Sequence, residues 1–74
     1  MYKVEKISEA ISSRLKEMIS EKQWSIAKFA KYVGIPRTTI NSWILKIKIP
    51  SVENLYIIAD KFNVTIDYLV GREE

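Results

Sequence analysis

W-S-I-A-K-F-A-K-Y-V-G-I-P-R-T-T-I-N-S-W, residues 24–43, is the stretch whose reading decides the fold. Ser25 is a good N-cap, because its hydroxyl can accept from an otherwise unpaired amide of a first helical turn. Ile26, Phe29, Ala30 and Val33 then recur at helical spacing and make one apolar face, which predicts a helix over 26–33. Gly34 follows at the position where a helix stops in a left-handed residue. Pro36 suits the first turn of a next helix, since its missing N–H has no partner there anyway. That helix runs from Pro36 to about Leu45 and buries Ile40 and Trp43. Two helices meeting at a wide angle need a small residue where they touch, a left-handed residue in the turn and large apolar residues inside the second helix. Ala30, Gly34, Ile40 and Trp43, with Phe29, meet those needs at spacings of four, six and three.

Outward from this pair the same patterning continues. Ile7, Ile11, Leu15, Met18 and Ile19 form the stripe of an amphipathic helix that ends near residues 21–23. Ser51 caps a helix over 52–62 with Val52, Leu55, Ile58, Ala59 and Phe62 inward. Asn63 stops it, Thr65 caps a short fifth helix, and Gly71 ends that one. Residues 44–49 alternate and are rich in isoleucine, which favours a strand locally, yet a lone strand has no partner, so a loop closed by Pro50 ranks above it. The expected class is a compact all-α domain of five short helices over 7–71, with an N-terminal arm at 1–6 and a tail at 72–74.

Seventy-four residues make one domain at most, and a chain this short buries only roughly 60% of its unfolded surface. It has no cysteine, so neither a disulfide nor a thiolate metal site can reinforce the core. The longest apolar run, residues 55–59, is far too short to span a bilayer, and the N-terminus lacks a secretory h-region, so the chain reads as cytoplasmic. The net charge of +3 is modest, but its distribution is uneven. Lys22, Lys28, Lys31, Arg37, Lys46 and Lys48 fall in a stretch with no acid, while the remainder sums to −3. A positive half is what gripping a polyanionic backbone requires, although a lysine-rich solvated surface gives the same count.

With these residues set out, the chain resembles the lambda-repressor and Cro-like helix-turn-helix domains of the XRE class. The resemblance covers about residues 8–71. It rests on R-L-K-E-M-I (14–19), on residues 24–43, on P-S-V-E-N-L-Y-I-I-A-D-K-F-N-V (50–64) and on T-I-D-Y-L-V-G (65–71). It implies a five-helix fold whose third helix enters the major groove of double-stranded DNA. It also implies a homodimer on a two-fold related operator, usually for repression. Two departures stand out. The family commonly has glutamine where Ile26 stands, and often E-N-G where this chain has Ile44, Leu45 and Lys46.

At 100° per residue, Ile40 and Trp43 centre the buried face of the third helix, so Thr38, Ser42 and Leu45 point away with Asn41 on one flank. Arg37 sits at the helix start, from which a long side chain can reach the groove floor. The family's base-reading positions fall on Arg37, Thr38 and Ser42. Arg37 is expected to pair with a guanine, with a phosphate clamp as the alternative; Asn41 can read an adenine or bond a phosphate. Ser25 with the free amides behind it, Lys28, Lys46 and Lys48 are the expected phosphate contacts.

Leu45, Ile47 and Ile49 form an apolar cluster that suggests a dimer contact, a patch against thymine methyls or burial under the fourth helix. Ile49, beside Pro50, is expected in the core, and Leu45 and Ile47 at a dimer contact. Tyr2 and Val4 of the arm are a second place for such a contact. Enzymatic readings find little to stand on, and no cofactor or metal is expected. The chain has no histidine, and its two glycines make no phosphate loop. Ser13-x-x-Lys16 and Ser25-x-x-Lys28 match an acylating-enzyme pattern without its companion motifs, and Glu17 with Glu21 is a solvated face. The rival readings are a protein-interaction module on the same scaffold, an antitoxin or anti-repressor holding a protein partner, or the DNA-binding piece of a longer regulator.

Overall fold

The computed structural model describes residues 4–72, which form α1 (Val4–Lys22), α2 (Ile26–Val33), α3 (Arg37–Ile44), α4 (Val52–Phe62) and α5 (Ile66–Leu69). Among these residues there is no strand. Three helices begin as their sequences ask. The hydroxyl of Ser25 accepts from the Lys28 amide at 3.1 Å, that of Ser51 from Asn54 at 3.1 Å, and that of Thr65 from Tyr68 at 2.9 Å. Each such cap stabilises by about 1 kcal/mol.

The helix ends share one device. Gln23, Gly34, Lys46, Asn63 and Gly71 all have φ between 54 and 84°, the left-handed region. Amides past each stop turn back onto carbonyls of the last turn, as Trp24 does onto Ile19 at 3.1 Å and Ile47 onto Ser42 at 2.8 Å. Gly34, Asn63 and Gly71 are ordinary residues for this conformation, whereas Gln23 and Lys46 carry a Cβ into it at a steric cost. Gly71 has a second reason to be glycine, because a Cβ there would lie 2.7 Å from the Ala10 Cβ of α1.

The core centres on Phe29 and Ile40, ringed by Ile11, Leu15, Ile58 and Leu69, all essentially inaccessible. α1 packs on α3 and α5, α2 on α3 and α4, and α4 on α5. Phe62 extends the core toward the surface by edge contacts to Trp24 and Tyr32 at ring separations of 6.1 and 5.5 Å. Arg14 ties α1 to α5, its Nε donating to the Tyr68 carbonyl at 3.1 Å while its guanidinium lies 4.6 Å from the Tyr68 ring centroid.

Four expectations are corrected. α1 begins at Val4, so residues 4–6 continue the helix and do not form part of an arm. Pro36 is the N-cap of α3, not its first helical residue: its ψ is 140°, and its carbonyl accepts from Thr39 and Ile40. Val52 is 75% exposed, not inward. It is the first residue of α4, whose buried face begins at Leu55. Ile49 is 41% exposed while Pro50 is buried in its place. The segment 45–50 reverses through left-handed Lys46 and pairs its amides with the end of α3, so it is the loop and not the strand. Tyr2 lies outside the described residues, as does the side chain of Val4.

Candidate nucleic-acid interface

α2 and α3 meet so that their N-terminal ends flank one open cleft of about 390 Å³, lined by Ser25, Ile26, Ala27, Arg37, Thr38 and Asn41. The geometry follows from the turn. Left-handed Gly34 stops α2, its amide and that of Ile35 both donating to the Ala30 carbonyl at 2.9 and 3.1 Å. Ile35 is buried, and Pro36 then launches α3. Phe29, Ala30 and Val33 on one helix and Ile40 and Trp43 on the other close the inner side. The outer side is left to the polar residues.

Both helix starts bring unpaired donors to this cleft. In α2, Ser25 satisfies the amides of Lys28 and Phe29, through its hydroxyl and its carbonyl respectively, so those of Ile26 and Ala27 have no helical acceptor. In α3, the Pro36 carbonyl takes Thr39 and Ile40, which leaves the amides of Arg37 and Thr38 in the same condition. Two positive helix ends beside one concavity favour an anion. No acidic residue occurs anywhere between Lys22 and Val52 to oppose it. Arg37 is exposed and makes no hydrogen bond or ion pair among the described residues, so its five donors remain available to a ligand.

Of the residues expected to read bases, Arg37, Thr38 and Asn41 therefore converge on one cleft with Ser25. Ser42 does not line it. Ser42 is half-buried and its hydroxyl donates to the Thr39 carbonyl at 2.6 Å, which leaves it able only to accept from a partner. Ala27 is the lining residue that sequence reasoning passed over, as a small residue carries no charge or polar signal.

The expected phosphate contacts divide. Lys28 lies with its ammonium 5.3 Å from the Trp24 ring centroid, so the indole holds it to the rim of α2. Lys46 and Lys48 lie past the other end of α3. Their backbone is set by hydrogen bonds from Lys46 to Trp43 and from Lys48 to Ser42 at 3.1 and 3.3 Å. Cations at that end also suit the negative pole of the helix. Leu45, Ile47, Val52 and Tyr56 are exposed, Ile47 by 68%. Val52 and Tyr56 stand one turn apart on α4 and so share a face that sequence reasoning missed.

The sequence profile of a helix-turn-helix family matches residues 15–69, a span holding α2, α3, α4 and α5. The chain is also similar to the HTH-type transcriptional regulator AnsR of Bacillus subtilis (strain 168), with 38% identity over 61 residues. That alignment covers 82% of this chain and 53% of the relative, so the chain spans about half of that protein's length. No solved structure matches the chain.

Proposed function

The chain belongs to the helix-turn-helix family, and on that basis we propose that it is a sequence-specific, double-stranded DNA-binding regulator of transcription, acting as a repressor. α3 enters the major groove, Arg37 pairs with a guanine through O6 and N7, and Thr38 and Asn41 contact neighbouring bases. Ser42 accepts from a base amino group or a water. Phosphate oxygens of one strand sit at the starts of α2 and α3 near Ser25 and Lys28, and those on the far side of the groove meet Lys46 and Lys48. The observation that carries this reading is the single cleft shared by Arg37, Thr38, Asn41 and Ser25, beside two helix ends with unpaired amides and no carboxylate.

The protein acts as a homodimer on a palindromic operator, with a second copy covering the exposed strip of Leu45, Ile47, Val52 and Tyr56. Supporting this, all four side chains are apolar and exposed, and Leu45 and Ile47 follow directly on the DNA-facing helix, so a two-fold axis there would set two copies of α3 side by side on one face of the duplex. The same strip is also what an antitoxin or anti-repressor would offer a different protein.

The test is selection from random duplexes with the pure protein at physiological salt. An enriched palindrome with half-site centres about 10–11 bp apart is the expected result. Weak, salt-sensitive binding with no enrichment would refute the sequence-specific reading, and a protein partner recovered on the apolar strip would then favour the interaction module.

A further inference from the structure

Among the described residues, Ser12 is the one polar residue in the core, 1% exposed on α1. Its hydroxyl donates to the carbonyl of Ile44, the last residue of α3, at 2.6 Å across 32 residues of sequence. Carbonyls in the last turn of a helix have no donor within it. In α3 the others are supplied locally: Asn41 by the amide of Leu45, Ser42 by those of Ile47 and Lys48, and Trp43 by that of Lys46. The Ile44 carbonyl instead receives its bond from a different helix. Alanine at position 12 would allow the same close approach of α1 and α3, so what the hydroxyl adds is direction. A short O–H···O bond tolerates little change in distance or angle.

We infer that Ser12 is a positioning residue for base reading, a role that rests on the proposed use of α3 in the major groove. Apolar packing of Ile40 and Trp43 holds α3 down but allows it to slide and rotate by a fraction of an ångström, since side-chain contacts are not directional. The Ser12 bond pins the C-terminal end of α3 to α1 and thereby sets the angle at which Arg37, Thr38 and Asn41 are presented. Placement within about 0.5 Å is what such contacts need. Phosphate contacts made by flexible lysines do not depend on it in the same way. Losing the bond therefore lowers discrimination more than it lowers overall affinity for DNA.

The experiment compares wild type with Ser12→Ala, Ser12→Cys and Ile58→Val, each confirmed folded by circular dichroism at the assay temperature. Kd is measured for the duplex that wild type enriches and for a scrambled duplex, and the ratio is the readout. Ser12→Ala should lower the ratio about tenfold, as expected for misaligning one bidentate base contact, with the scrambled-duplex Kd changed by less than about twofold. Ser12→Cys retains a donor, a weaker one on a larger atom, and its ratio should fall between those of wild type and Ser12→Ala. Ile58→Val weakens the core from α4, which packs on α2 and α5, and should leave the ratio within about twofold of wild type despite its lower stability. An unchanged ratio for Ser12→Ala, or an equal loss for Ile58→Val, would overturn the positioning role. If wild type enriches no sequence at all, the reading of α3 itself fails and this role falls with it.

Discussion

Lys46 closes α3 in a conformation that suits glycine, and replacing it should separate fold stability from DNA affinity. Its φ is 66°, and around it the Lys46 amide donates to Trp43 and the Ile47 amide to Ser42. A Cβ in the left-handed region crowds the following carbonyl, at roughly 1–2 kcal/mol. Lys46→Gly relieves that crowding but gives the unfolded chain more freedom, which costs about 0.4–1 kcal/mol. The difference leaves a stabilisation of roughly 0.5–1 kcal/mol, or about 2–8 °C in Tm for a domain of this size. Lys46→Ala keeps the crowding and should unfold close to wild type. For DNA the two variants are equivalent, because both lose the phosphate contact proposed for Lys46, and each should flatten the salt dependence by about 0.9 in log K per log salt. Thermal melts of the three proteins, with duplex binding at two or more salt concentrations, measure both effects. Equal melting of Lys46→Gly and Lys46→Ala would refute the strain argument. An unchanged salt slope in both would refute the phosphate contact and leave the strain argument standing.

Arg37→Ala should remove the preference for one base pair of the operator, at about 1–3 kcal/mol, while barely moving the melting temperature; selection with the variant would reveal the relaxed position. Gly71→Ala combines a φ of 84° with a Cβ placed 2.7 Å from Ala10, and should lower stability by about 2–4 kcal/mol in denaturant titration. Gly34→Ala meets no atom within 4 Å and should cost only about 1 kcal/mol; if the two glycine variants were equally destabilised, the Ala10 contact would not be what limits position 71. Ile47→Asp alters a side chain that is 68% exposed, so the monomer should fold normally. Sedimentation on a full operator should then show one bound copy where wild type shows two.

The difference between Gly34 and Lys46 also marks how far the sequence can be read. Local chemistry governs caps and stops: Ser25, Ser51 and Thr65 bond amides three residues away, and Gly34, Asn63 and Gly71 accept positive φ cheaply. Those signals lie within one turn, so the bounds of α2 and α4 were legible from residue order alone, as was the clustering of basic residues around the α2–α3 pair. Gln23 and Lys46 make the same stop without the residue that announces it, because hydrogen bonds and packing on both sides outweigh the steric cost.

Arg37, Thr38 and Asn41 could be assigned to the outer face of α3 from a periodicity of 100° per residue, because the phase of a helix is a property of its own sequence. What lies opposite each phase is not. Val52 carries an inward-looking pattern yet is exposed, while Leu55, three residues on along the same face, is buried. Ile49 likewise yields its expected place to Pro50. Ser12 reads as an ordinary polar residue beside an apolar stripe, and only the packing of α1 on α3 makes it the donor to Ile44. Sequence by itself determined the five helices, their order and the chemical character of the outer face of α3, because propensity, capping and periodicity act over a few residues. The tertiary structure alone decided which apolar residues remained uncovered and which distant carbonyl the buried hydroxyl found, because those outcomes depend on what another segment of the chain brings within bonding distance.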